Sequence, residues 1–129
     1  MPQSSNSFMA ARNFKETKLF KLAFEQAMDV WVTSKQFPKE ESYSLTDQMR
    51  RSSRSVCANI AEAYRKKRYV AHFVSKATDC DAENSETNIW IDFSIACNYI
   101  SSEKHQAMIL RNEEIGRLLN HMIANPDKY

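Results

Sequence analysis

A chain of 129 residues, 43% apolar and 26% charged with a net charge of only +2, is long enough for one hydrophobic core and excludes both a disordered tail protein and a disulfide-stapled miniprotein. Glycine occurs once, at Gly116, so phosphate-cradling loops, dinucleotide fingerprints, nucleophile elbows and two-residue hairpin turns are disfavoured together. Composition therefore reaches a helical domain and stops short of a function.

Residues 1–16 mix Ser, Asn and Gln with isolated apolar side chains and read as a flexible leader, with the folded domain expected over 17–125 and a short tail over 126–129. From Leu19 onward Phe20, Phe24, Ala27 and Trp31 recur at helical spacing, with Ala23 and Val30 beside them, which predicts a first helix ending near Lys35 ahead of Pro38. After a loop over 36–43, Ser44 and Asp47 form an N-terminal capping signal for a second helix. Its seam is Leu45, Met49, Ser52, Val56, Asn59 and Ala63, small and polar in the middle, so close helix approach is implied. A turn near Lys67–Val70 is placed by charge density alone.

A third helix is predicted over Ala71–Tyr99, and its second half is apolar on nearly every side. In a four-helix bundle each helix keeps one wet face, so Ile89, Trp90, Phe93 and Tyr99 are expected to be covered by another copy of the chain. Ser101 or Ser102 can cap a fourth helix, where Met108, Ile115, Leu118, Leu119, Met122 and Ile123 form a stripe that ends before Pro126. The sum is an all-α, antiparallel up-and-down four-helix bundle roughly 25 to 40 Å long. With mean hydropathy of -0.59 and no apolar run near twenty residues, no membrane span is predicted. The segment from Met1 to Ala11 lacks the apolar core of a secretory signal, so a cytoplasmic location is expected. Cys57, Cys80 and Cys97, odd in number and widely spaced, read as reduced packing thiols.

Between Arg50 and Arg68 the chain carries Arg50, Arg51, Arg54, Arg65, Lys66, Lys67 and Arg68 against a single acid, Glu62. Arginine's planar fork donates two hydrogen bonds to one phosphate, so these residues are the candidate RNA- or DNA-binding set. A solvated helix face is the competing reading, since Asp47–Arg51 and Glu62–Lys66 have i, i+4 spacing and Arg65 to Arg68 complement a helix C-terminus. The counterpart is an acidic stretch of Asp79, Asp81, Glu83, Glu86 and Asp92, from which Glu83 or Glu86 is expected to form a buried pair with an arginine of the second helix. No Glu-x-x-His occurs, and His72, His105 and His121 lack partners at ligand spacing, so no metal is expected. Ser52, Ser53, Ser55 and Cys57 lie in a helix with no histidine near, so neither catalytic residues nor a cofactor are predicted. Asn59 is expected to be a hydrogen-bonded amide joining helices in the core.

The run Phe37-Pro38-Lys39-Glu40-Glu41, then Ser42 through Ala63 with its Gln48-Met49-Arg50-Arg51, resembles the four-helix bundle proteins first noticed inside intervening sequences of bacterial 23S ribosomal RNA genes. The resemblance continues through Tyr64-Arg65-Lys66-Lys67-Arg68-Tyr69, Phe73-Val74-Ser75-Lys76, Glu86-Thr87, Trp90-Ile91-Asp92-Phe93 and Tyr99-Ile100. Many members have proline where Cys57 stands and glycine where Ala63 and Asn98 stand; Asn98 still permits a left-handed helix end. What the resemblance implies is a ring-like homopentamer without a catalytic site, akin to the accessory proteins of diversity-generating retroelements, which bind nucleic acid and a reverse transcriptase. Two functions are therefore expected: a non-enzymatic oligomer that binds RNA or DNA backbones, or a protein-interaction scaffold or accessory subunit without nucleic-acid affinity.

Overall fold

The computed structural model describes residues 13–129; residues 1–12, most of the expected leader, lie outside the described residues. Four helices account for most of the chain: α1 (Lys18–Ser34), α2 (Leu45–Arg65), α3 (Val70–Ala96) and α4 (Ser102–Ala124), with no strand among the described residues. Helix α1 packs on α2 and α4, and α3 packs on the same two, so α1 lies diagonal to α3 and α2 diagonal to α4. Neighbours run antiparallel. Arg51 near the start of α2 reaches Glu83, whereas Glu62 near its end reaches back to Lys76. Likewise Asp29 of α1 meets Lys104 while the earlier Glu25 meets the later Arg111.

The predicted stripe of α1 is rotated. The helix buries Leu19, Ala23, Ala27 and Val30 together with Gln26 and Ser34, while Phe24 is exposed and Phe20 and Trp31 are half-buried. Small Ala23 and Ala27 let the backbones approach, and the bulky rings lie along the edge of the contact, where Phe20 stacks on Phe24 at 6.0 Å between centroids. On α2 the seam also differs by one position. Ile60 is buried where Asn59 was expected, and Asn59 bonds only within its own helix, to Ser55 O at 3.0 Å and Ser55 Oγ at 3.3 Å. Burying isoleucine removes apolar area from water without leaving an amide to satisfy.

Helix ends explain the remaining differences. Ser44 occupies the N-cap position of α2 but makes no side-chain cap bond; its hydroxyl donates to Glu41 Oε1 at 2.6 Å, and that oxygen accepts the Leu45 amide at 3.3 Å. The cap is thus a carboxylate from the preceding 3-10 turn, Lys39–Glu41. Helix α3 stops at Ala96 because Asn98 adopts φ 64°, with its amide on Ile95 O at 2.9 Å and the Tyr99 amide on Ser94 O at 2.8 Å, a Schellman closure. Ser101, not Ser102, caps α4 by accepting the Lys104 amide at 3.1 Å. At the domain's expected margins, Phe14 of the turn Phe14–Glu16 meets Phe20 edge-on at 5.1 Å, and Tyr129, after the turn Pro126–Lys128, stacks on Phe73 at 6.4 Å. Aromatic contacts therefore carry the packed body past both ends of 17–125.

The core has two apolar clusters, one around Ile60, Phe73 and Leu119 and one around Met49, Ile91 and Met108. A polar layer lies with them. Ser52 and Thr87 share a hydroxyl bond of 2.7 Å between α2 and α3, Asn84 and Asn112 pair between α3 and α4, and Gln26 donates to Met108 O at 2.9 Å. Every buried side-chain nitrogen and oxygen among the described residues has a partner.

Candidate nucleic-acid interface

Trp31 on α1 is the centre of the basic site. Its indole carries Arg50 at 4.3 Å and Arg54 at 5.1 Å from α2 and Lys35 at 5.1 Å from the C-cap of α1, three cations on one aromatic group. Each pair is one helical turn apart on its own helix, and the α1–α2 packing brings the two pairs together. Arg50 is held in place by Ser34, whose hydroxyl oxygen accepts its Nε at 2.8 Å. The candidate list drawn from the sequence omitted Lys35 and Trp31; the i, i+4 spacing of those two was the available signal.

Arg65 ends α2, and Lys66, Lys67 and Arg68 form the turn into α3. Arg54 and Arg65 stand about three turns apart, roughly 16 Å, on the same side of α2. Lys67 Nζ lies 5.3 Å from the Tyr64 ring centroid, and burial draws its pKa down, while Arg65 and Arg68 are exposed. None of Lys35, Arg50, Arg54, Arg65, Lys66, Lys67 or Arg68 enters an ion pair among the described residues. Lys18, Lys76, Lys104, Arg111 and Arg117 all do. Lys15, Lys21, Lys39 and Lys128 also stand outside any ion pair among the described residues, so α2 and its two ends hold the larger share of the uncompensated positive charge.

Arg51 departs from its neighbours. It bridges Glu83, at 3.2 Å, and Glu86, so the pairing expected between helix two and the acidic stretch forms between α2 and α3. The bridge is on the surface instead of buried, with 44% of the Arg51 side chain exposed, so its contribution to stability is modest. The local pairs Asp47–Arg51 and Glu62–Lys66 do not occur among the described residues: Arg51 turns to α3, and Glu62 takes Lys76 of α3 at 3.4 Å.

At the other end of α3, Trp90 and Phe93 line an open groove of about 740 Å³ with Tyr43, Gln48 and Cys97. Of the predicted interface residues, Ile89 and Phe93 are about half exposed, whereas Trp90 and Tyr99 are half-buried and hydrogen-bonded. Trp90 donates to Glu86 at 3.3 Å, and Tyr99 donates to Glu41 Oε2 at 2.9 Å. That bond pushes the Tyr99 pKa up to about 12, and hydrogen bonds from Ser44 and Tyr99 hold Glu41 below the usual carboxylate range.

This arrangement of helices is shared with known proteins. Residues 15–121 match the family described as 23S rRNA-intervening sequence protein. The chain belongs to that family. It is also similar to the crystal structure of a protein of unknown function from the S23 ribosomal protein family of Bacteroides thetaiotaomicron, with a TM-score of 0.73 and 25% identity over 82% of this chain and 95% of that one. No curated protein matches.

Within this member of the 23S rRNA-intervening sequence protein family, two of the histidines make single side-chain polar contacts, His105 with Asp92 at 2.9 Å and His121 with the Tyr129 hydroxyl, while His72 lies beside the Tyr69 ring. Among the described residues no group of three or more His, Cys, Asp or Glu side chains is placed to hold a metal, and no helix is long and apolar enough to cross a membrane. The cysteines are separate thiols. Cys80 is buried and donates to Val56 O at 3.2 Å, Cys57 is half-buried with its pKa pushed up to about 11 by burial, and Cys97 is exposed.

Proposed function

We propose that this family member is a non-enzymatic, cytoplasmic homo-oligomer that binds the sugar-phosphate backbone of RNA or DNA without reading sequence. The observation that carries the proposal is the set of cations on the α2 side, Lys35, Arg50 and Arg54 around Trp31 and Arg65 to Arg68 along the same helix, outside any ion pair among the described residues. Like charges gathered around one indole repel one another, so a bridging phosphate relieves that repulsion. Arg50, already oriented by Ser34, presents its remaining fork nitrogens for a bidentate contact. A ring-like homopentamer, as the family resemblance implies, repeats this modest charge five times.

Polarization titrations of a labelled duplex across salt test the reading. Arg50→Ala/Arg54→Ala and Arg65→Ala/Lys66→Ala/Lys67→Ala/Arg68→Ala should each weaken binding and flatten its salt dependence. Affinity equal to wild type in both would refute it. The rival reading, a scaffold or accessory subunit that binds protein alone, is supported by the open groove at Trp90 and Phe93. It expects no salt-sensitive binding from the wild-type chain in the same titrations.

A further inference from the structure

The turn between α2 and α3 is cationic and holds an exposed aromatic ring. Lys66 N–H donates to Ala63 O at 3.0 Å to end α2, and Tyr69 N–H donates to Lys66 O at 2.9 Å, which brings the Lys66 and Tyr69 backbones within about 7 Å of each other. Arg68, Tyr69, Val70, Ala71 and His72 follow as consecutive exposed residues. Tyr69 is 60% exposed and belongs to neither apolar cluster of the core. Its one aromatic neighbour among the described residues is the His72 ring, 5.8 Å away between centroids, and its hydroxyl makes no hydrogen bond among them.

Folding does not account for a tyrosine at this position. Tyr69 is the N-cap of α3 yet makes no side-chain cap bond, and the first turn of the helix holds no acid. Serine, threonine, asparagine or aspartate there would accept an amide of that turn, so stability alone favours another residue. The surroundings are positive. Arg65, Lys66, Lys67 and Arg68 lead into the ring, and the turns Phe14–Glu16 and Pro126–Lys128, which pack at this end through Phe14 on Tyr64 and Tyr129 on Phe73, add Lys15 and Lys128. The acids at this end are Glu16 and Asp127, both exposed, and Glu62, which is engaged by Lys76 at 3.4 Å. Exposure by itself is not the signal, since Tyr43 at the opposite end is 96% exposed but closely follows Glu40 and Glu41.

We propose that Tyr69 is a stacking platform for an unpaired base of single-stranded RNA or DNA, with Lys66 and Arg68 on the phosphates beside it. The proposal rests on the backbone-binding reading above and adds the kind of strand. Lys67 Nζ lies 5.3 Å from the Tyr64 ring centroid, which leaves Lys66 and Arg68 next to the platform. Every base has a π face, so stacking on tyrosine beside a basic surface holds a strand without selecting its sequence. Bases in a duplex are already paired and stacked on one another, so the ring adds nothing there and the turn prefers single strands.

Polarization titrations of the full chain with a labelled oligothymidylate, a duplex of equal length and an abasic strand of equal length decide it. Tyr69→Ser supplies a better N-cap, so loss of the fold does not confound it, and far-UV circular dichroism checks that the helices remain. This variant should bind the oligothymidylate at least about fivefold more weakly than wild type, with the same salt slope because no charge is removed. Its affinity for the duplex and for the abasic strand should equal that of wild type, and Tyr69→Phe, which keeps the ring, should bind all three strands as wild type does. Unchanged oligothymidylate binding by Tyr69→Ser, an equal loss on the duplex or the abasic strand, or a Tyr69→Phe that falls with it overturns the platform while backbone binding stands. A lower sedimenting mass for Tyr69→Ser than for wild type puts another copy of the chain on the ring and also overturns it. Wild-type protein that binds none of the three strands removes both readings.

Discussion

Asn84 and Asn112 meet in the core, each donating its amide to the other's backbone carbonyl, at 3.0 and 2.8 Å, while Asn88 donates to Asn112 Oδ1 at 2.9 Å. Removing one partner leaves the other's buried polar atoms without bonds, the expensive half of hydrogen-bond energetics. Asn112→Ala should therefore lower unfolding stability by about 2 to 3 kcal/mol in urea titrations, and Asn84→Ala/Asn112→Ala should lower it by less than the sum of the two single changes. The thiols give a second prediction at this scale. Burial raises Cys57 from 9.0 to about 11 and raises Cys80 further, so the folded chain keeps protons that the unfolded chain releases. The stability this contributes is complete below about pH 9 and declines as pH rises above it, toward about 11 for Cys57. The urea midpoint should fall on the alkaline side of that value, and Cys57→Ala/Cys80→Ala should flatten the fall. In native protein at neutral pH only exposed Cys97 should react quickly with a thiol reagent.

Helix α4 contains the one glycine of the chain, in mid-helix, where its flexibility is a liability. A Cβ at Gly116 would lie 3.6 Å from Asn84 Nδ2, an ordinary contact, so no close approach explains the residue. Gly116→Ala should raise stability by about 0.5 to 1 kcal/mol, read as a higher thermal midpoint. Helix α3 shows the opposite economy: Asn98 takes φ 64° to close the helix, a conformation glycine adopts without strain. Between α1 and α4, Arg111 binds Glu25 at 3.0 Å, Gln26 at 2.7 Å and Asp29 at 3.0 Å. Burial opposes ionisation of Asp29, but hydrogen bonds from Lys104 and Arg111 outweigh it and hold its pKa below the usual value, so this link is lost only as strong acid protonates the carboxylate.

At the scale of the molecule, part of the charge among the described residues is compensated by ion pairs between helices and part is not. Ion pairs join α1 to α4 and α2 to α3, while Lys35, Arg50 and Arg54 converge on Trp31. A net charge of +2 is small for backbone binding by one copy, so the proposed affinity would have to come from repetition. If a ring of five engaged two phosphates per copy, the plot of log affinity against log salt on duplex would have a slope near -9. Phe93→Asp, if it yields single chains, should reduce that slope to about -2 while leaving every cation in place.

The all-α class, the four helices and the Pro38 stop were legible in the sequence, because periodicity and φ preference act within a few residues of chain; the end of α3 at Asn98 was marked only by the family resemblance, and the predicted helix ran on to Tyr99. Family membership was legible for a similar reason, through the contiguous run from Phe37 to Tyr69. Interhelical choices were not. A helix of α1's composition presents several apolar faces of nearly equal merit, and packing against α2 and α4 selects the one with Ala23 and Ala27, leaving Phe24 outside. The same packing places Ile60 inward in preference to Asn59, commits Arg51 to Glu83 and Glu86, and gathers residues of two helices around Trp31. Those outcomes depend on how each helix is turned about its axis, and only a neighbouring helix supplies the contacts that make one rotation lower in energy than the next.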